Sequence, residues 1–179
     1  TYTPVKEWNK DTTETLLSYS ITDKKTKTFC RISILKSTES KGSIENDFDS
    51  EWQELIVRAY KPTEKPVFNE VQKTDSGNSK AGVVGFKFNN KAALAMLTTM
   101  TGFGRCASIV ATTNSEVYMK EITQFVGSVK LLKPDSIAQP PAVSTVVHSN
   151  ILGTWRRGMG ITTTGGSYGR YKYTAYQYT

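Results

Sequence analysis

Residues 101 to 113, TGFGRCASIVATT, contain G-x-G-x-x-A, the spelling of a dinucleotide-binding turn. Such a turn needs a strand before its glycines and a helix directly after them, so that the first helical N–H groups meet the phosphates. Here Gly104 is followed by RCASIVATT, small and β-branched residues that read as a strand. The next helical pattern opens well downstream, with Glu116 in its first turn, where a phosphate is repelled. Gly102 and Gly104 are therefore expected to form a hairpin turn with positive φ, and no dinucleotide is expected.

Two carboxylate pairs suggest a general-acid pair or a cation site. Asp47 and Glu51, and likewise Glu45 and Asp49, stand four residues apart on a helical pattern. A hydrolase needs one carboxyl of raised pKa and a cleft between the two groups. The competing expectation is a set of solvated acids on the polar face of an amphipathic helix. The thiols offer less. Cys30 and Cys106 lack the close spacing of a metal knuckle, and one histidine, His148, cannot complete a zinc set. Both lie in strand-like runs, and no histidine near Cys106 in sequence activates it. Two buried thiols and one disulfide both stay open, and a disulfide would place the protein in an oxidising compartment. Neither a metal nor a cofactor is expected.

The end of the chain, NILGTWRRGMGITTTGGSYGRYKYTAYQYT, interleaves bases with aromatics, as single-strand nucleic-acid binders do. Its cations are few: Arg156, Arg157, Arg170 and Lys172. Strand alternation sets Tyr171 and Tyr173 on one face and Arg170 and Lys172 on the other, which separates charge from ring. Nucleic acid is accordingly not the expected partner. The expectation is edge pairing with a neighbouring strand, in a further β domain or in another protomer of a homo-oligomer. Trp155, Tyr168, Tyr171, Tyr173, Tyr176 and Tyr178 are its expected contact residues.

These groups must be held by a fold. Hydrophobic residues make up 37% of 179 and charged residues 22%, the balance of an ordinary globular chain. No apolar run approaches the roughly 20 residues that span a bilayer. The net charge of +7 permits anionic partners, but Lys24, Lys25, Lys27, Arg31 and Lys36 near one hairpin are offset by the acids of one helix. ETLLSYSI (14–21) and TFCRISILK (28–36) read as strands, with Cys30, Ile32 and Ile34 on one face. From Ser43, the residues Ile44, Phe48, Trp52, Leu55 and Ile56 recur at helical spacing, and Pro62 and Pro66 stop that helix. VFNEVQKT, AGVVGFKF and AALAMLTTM read as three more strands, the last ambiguous with helix. SEVYMKEITQFVGSVKLL is a second amphipathic helix capped by Ser115 or Asn114. The predicted organisation is an α+β domain over 1–133, a Pro/Ser-rich linker over 134–149 and a Tyr/Gly/Thr-rich β extension over 150–179.

Three stretches, YTPVKEW, FCRISILKSTESKGSIENDFDSEWQELI and GFGRCASIVATTNSEVYMKEITQFVGSVKL, together resemble the PsbP-like α+β fold. That resemblance covers 1–133 and implies an antiparallel sheet flanked by two main helices, with Trp8 packed at the sheet end and a short last strand after the closing helix. Members of this group mostly bind other macromolecules and do not catalyse reactions. Gly153-Thr154-Trp155 is similar to the G-x-W of lipocalin-type barrels, although too few residues follow to close a barrel of about eight strands. The expected function is that of a bacterial, exported, non-catalytic binding or scaffold module for a protein or cell-surface component. Periplasm or secretion is the expected location, with the cytoplasm left open and any signal segment removed before Thr1. A small-molecule carrier using the lipocalin-like region and a hydrolase using the acidic helix are the alternatives.

Overall fold

The computed structural model describes residues 1–133, 161–168 and 171–178. The chain divides into two compact units, Thr1–Asp135 and Ser136–Thr179. The first is an α+β unit built on a large antiparallel sheet, as its sequence predicts. Its main strands are β1 (Asn9–Thr12), β2 (Leu16–Asp23), β3 (Thr28–Leu35), β7 (Gly77–Phe88), β8 (Lys91–Gly102) and β9 (Arg105–Thr113). Shorter ones are β4 (Thr38–Glu39), β5 (Val67–Phe68) and β6 (Gln72–Thr74). The order across the sheet is β1-β2-β3-β9-β8-β7-β5, with β4 pairing β9 and β6 pairing β7. The ambiguous run 92–100 is thus a strand, because its two neighbours claim both of its edges.

Period-2 alternation gives this sheet two dissimilar faces. Ala93, Ala95 and Leu97 of β8 join Val84, Phe86 and Val110 on the first face, and all are buried. Helix α1 (Ile44–Trp52) covers them, followed by a π segment (Gln53–Val57) and the last turn α2 (Arg58–Tyr60). The side chain of Ser43 caps α1 by accepting from the Asn46 N–H at 3.2 Å. The buried stripe runs Ile44, Phe48, Trp52, Ile56, always four residues apart. An ideal helix would carry Ile56 about 120° around from Ile44 over that distance. The wider π turn holds Ile56 in line, and it is fully buried. Trp52 stacks on Phe48, and Phe68 meets both rings edge-on.

The second face carries Tyr19, Cys30, Ile32, Ile109 and Ala111. Helix α3 (Met119–Ser128) lays Ile122 and Phe125 on it, preceded by a 3-10 turn (Glu116–Tyr118) that Ser115 caps. Asn114 instead ties β3, accepting from the Phe29 N–H and donating to the Lys27 carbonyl. Tyr2, Val5 and Trp8 of the N-terminal segment complete this core, with Trp8 edge-on to Tyr118 at 5.9 Å.

Two expected elements differ. Residues 129–133, directly after α3, form no strand: Val129 is extended, but the segment makes one bridge, Lys130 and Thr1 exchanging backbone hydrogen bonds of 2.8 and 2.9 Å. The run 67–74 is not one strand but two. Val67 and Phe68 pair with Val83 and Gly82, and Gln72 resumes opposite Ser79, so this edge holds one residue more than β7 between the pairs. The result is a bulge at Asn69–Val71.

In the second unit, β10 (Ile161–Tyr168) and β11 (Tyr171–Tyr178) form an antiparallel pair with Tyr168 opposite Tyr171. Tyr173 stands opposite Gly166, Tyr176 opposite Thr163 and Tyr178 opposite Ile161. Trp155 and the linker 134–149 lie outside the described residues.

Candidate functional site

The G-x-G-x-x-A stretch is a hairpin turn. Gly102 pairs with Arg105, and β8 and β9 run on either side. Positive φ falls on Phe103 (54°) and Gly104 (72°), not on Gly102, so the two-residue turn is of the primed kind that matches strand twist. Gly102 has a different reason to be glycine. A Cβ there would stand 1.9 Å from the Ser76 carbonyl oxygen, and one on Gly77 would stand 2.1 Å from the Thr101 carbonyl oxygen. The β6–β7 and β8–β9 turns are pressed backbone to backbone.

Of the acidic-helix residues, Glu45 and Asp49 are exposed as the solvated reading expects, whereas Asp47 is not. Asp47 is buried, and its carboxylate accepts from the Ser40 hydroxyl (2.7 Å), the Lys41 backbone N–H (2.6 Å) and the Thr101 hydroxyl (2.6 Å). It braces the β4–α1 loop against β8. Asp47 is buried and lines neither cavity found among the described residues, so the Asp47–Glu51 pair faces no cleft there. Periodicity places Asp47 near the helix's inner side but cannot supply the donors, which come from a loop and a distant strand.

Cys30 and Cys106 are free and buried. The bridge between them is not made. Cys30 lies opposite Thr113, seven positions along β9 from Cys106, which at about 3.3 Å per residue is far beyond disulfide reach. Burial, with the Glu121 carboxylate adding to it, pushes the Cys30 thiol up to about 12. Burial, then Asp47 and Glu51, pushes Cys106 up to about 11. Neither thiol is poised as a nucleophile. Among the described residues no cluster of His, Cys, Asp and Glu has metal-holding geometry.

What the sheet does build is a trough. Helix α3 and the N-terminal segment cover the second face over β2, β3 and β9, and leave its β7–β8 part half-buried. Two cavities of about 270 and 620 Å³ lie there and adjoin, sharing Asn69, Ala81, Thr98, Thr123 and Val126 in their walls. Met96, Met100 and Val83 provide an apolar floor. Met119 and Val126 of α3, with residues 129–132, form one wall, and the bulge at Asn69–Glu70 forms the other. Phe103 and Leu132 stand at the larger end, 44% and 65% exposed. The larger volume lies within the range that small ligands occupy, and its lining mixes apolar and polar side chains. Sequence reading missed it. Alternation in AALAMLTTM does set Met96, Thr98 and Met100 on one face, but which part of that face stays open depends on where α3 lands.

The tyrosines expected as edge contacts, Tyr168, Tyr171, Tyr173, Tyr176 and Tyr178, are brought together on the β10–β11 pair. No helix among the described residues is long and apolar enough to cross a membrane. No family model, curated protein or solved structure matches the chain.

Proposed function

We propose that the Thr1–Asp135 unit is a non-catalytic binding module of PsbP-like type, in an exported bacterial protein, and that the second-face trough is its binding site. One observation carries this reading. A sheet face that carries Ala81, Val83, Met96 and Met100 along β7 and β8 is left half-buried beside α3, whose buried core lies over β2, β3 and β9. Apolar surface kept out of a core at a concave place marks a site of interaction. The buried state of both thiols and the saturation of Asp47 support a role without nucleophilic or acid–base chemistry. Three thioethers, Met96, Met100 and Met119, give the trough a lining that adapts to the shape of its occupant. The tyrosine-bearing strand pair β10–β11 favours a second reading beside the first, in which its edges contact a protein partner or another protomer.

The test is a fluorescence titration of the full chain with the neutral probe N-phenyl-1-naphthylamine. Saturable binding, one probe per chain, is expected. Ala81 is half-buried in the trough, and Ala81→Arg should weaken binding at least about tenfold by filling it with a charged side chain. The melting temperature should hold. Absence of saturable binding, or equal binding by the variant, would sink the proposal.

A further inference from the structure

The larger end of the trough differs in chemistry from its floor. It is framed by the two turns that Gly77 and Gly102 allow to touch, and Asp75 and Phe103, one from each turn, line it. Glu70, from the bulge, lines the same space. Neither Glu70 nor Asp75 makes an ion pair or accepts a hydrogen bond among the described residues, where the ion pair found is Arg58–Glu54. Lys130 belongs to the opposite wall, in the segment whose backbone is clipped to Thr1. Phe103 lines this space with 44% of its surface exposed.

We infer that the trough takes an amphiphile with a cationic, ammonium-type head. This rests on the reading of the trough as the binding site and names its ligand class. The apolar tail lies on Met96, Met100 and Val83. The head sits at the turn end, against the face of Phe103 and between the carboxylates of Glu70 and Asp75. An aromatic face attracts a cation through its quadrupole, and unpaired carboxylates add Coulombic attraction. An anionic head at that end would meet two like charges against the single opposite charge of Lys130.

The experiment is displacement of N-phenyl-1-naphthylamine from the full chain by decyltrimethylammonium and, separately, by decanoate, each below its micelle concentration. The ammonium compound should displace the probe at concentrations at least about tenfold lower. The gap should shrink in about 0.5 M salt and close in Glu70→Gln/Asp75→Asn. Phe103→Asn should melt no lower than the wild type and yet bind decyltrimethylammonium about fivefold more weakly. Equal or better displacement by decanoate overturns the inference, as does full affinity in Phe103→Asn. Either result leaves the trough standing as a binding site, whereas failure of the neutral probe to bind overturns both.

Discussion

Asp47 shows how a single side chain can look catalytic in sequence and prove architectural. Its two oxygens collect three donors from two separate places in the chain. Asp47→Asn replaces one acceptor oxygen with an amide that faces a donor, and should cost about 2–4 kcal/mol of stability by urea unfolding. A loss under about 1 kcal/mol would contradict the brace. The thiols predict a pH effect. Burial raises Cys30 from the ordinary 9.0 to about 12 and Cys106 to about 11. The folded state therefore keeps protons that the unfolded state releases. Their contribution to stability is complete below pH 9.0 and is lost as pH rises through 11 and 12. Urea midpoints should fall over that alkaline window, and fall less in Cys30→Ala/Cys106→Ala. Native protein at neutral pH should leave a disulfide reagent such as DTNB unreacted, and denaturant should expose both thiols to it.

Elements differ in how far they announce themselves. The stripe Ile44, Phe48, Trp52, Ile56 and the alternation of β3 belong to single segments, so the sequence shows them directly. The bulge between β5 and β6 does not, because it exists only relative to the pairing of β7. The closing strand expected after α3 fails for a similar reason: Val129 has extended backbone, but among the described residues 129–133 bond to the N-terminal segment at one point, Lys130 to Thr1. At the paired turns, glycine identity was legible and its cause was not. Phe103, not Gly102, carries the positive φ. Phe103→Asn should therefore stabilise the domain by about 0.5–1 kcal/mol. Gly102→Ala should destabilise it by about 2 kcal/mol or more, since its Cβ meets a backbone oxygen that no rotamer change can move. Denaturant melts of the two variants against wild type check both signs.

For the molecule as a whole, period located the main strands and the two helices, and the resemblance to the PsbP-like fold implied the antiparallel α+β arrangement that the first unit has. The trough was not legible, because it is a difference between how much of a face exists and how much α3 covers, and neither quantity belongs to any one segment. The two faces also differ in the aromatic each contains. Trp52 sits under α1 in the first core, and Trp8 lies against Tyr118 in the second. The strands between them are shared: β8 gives Leu97 to one side and Met96 to the other. Replace Trp155 and either of these two indoles by phenylalanine, and the surviving emitter becomes a thermometer for one side of the sheet. If the shared strands make the sides one cooperative body, the two single-emitter proteins, each scaled to its own midpoint, should trace superimposable melting curves, and a lag between them would locate the layer that loosens first.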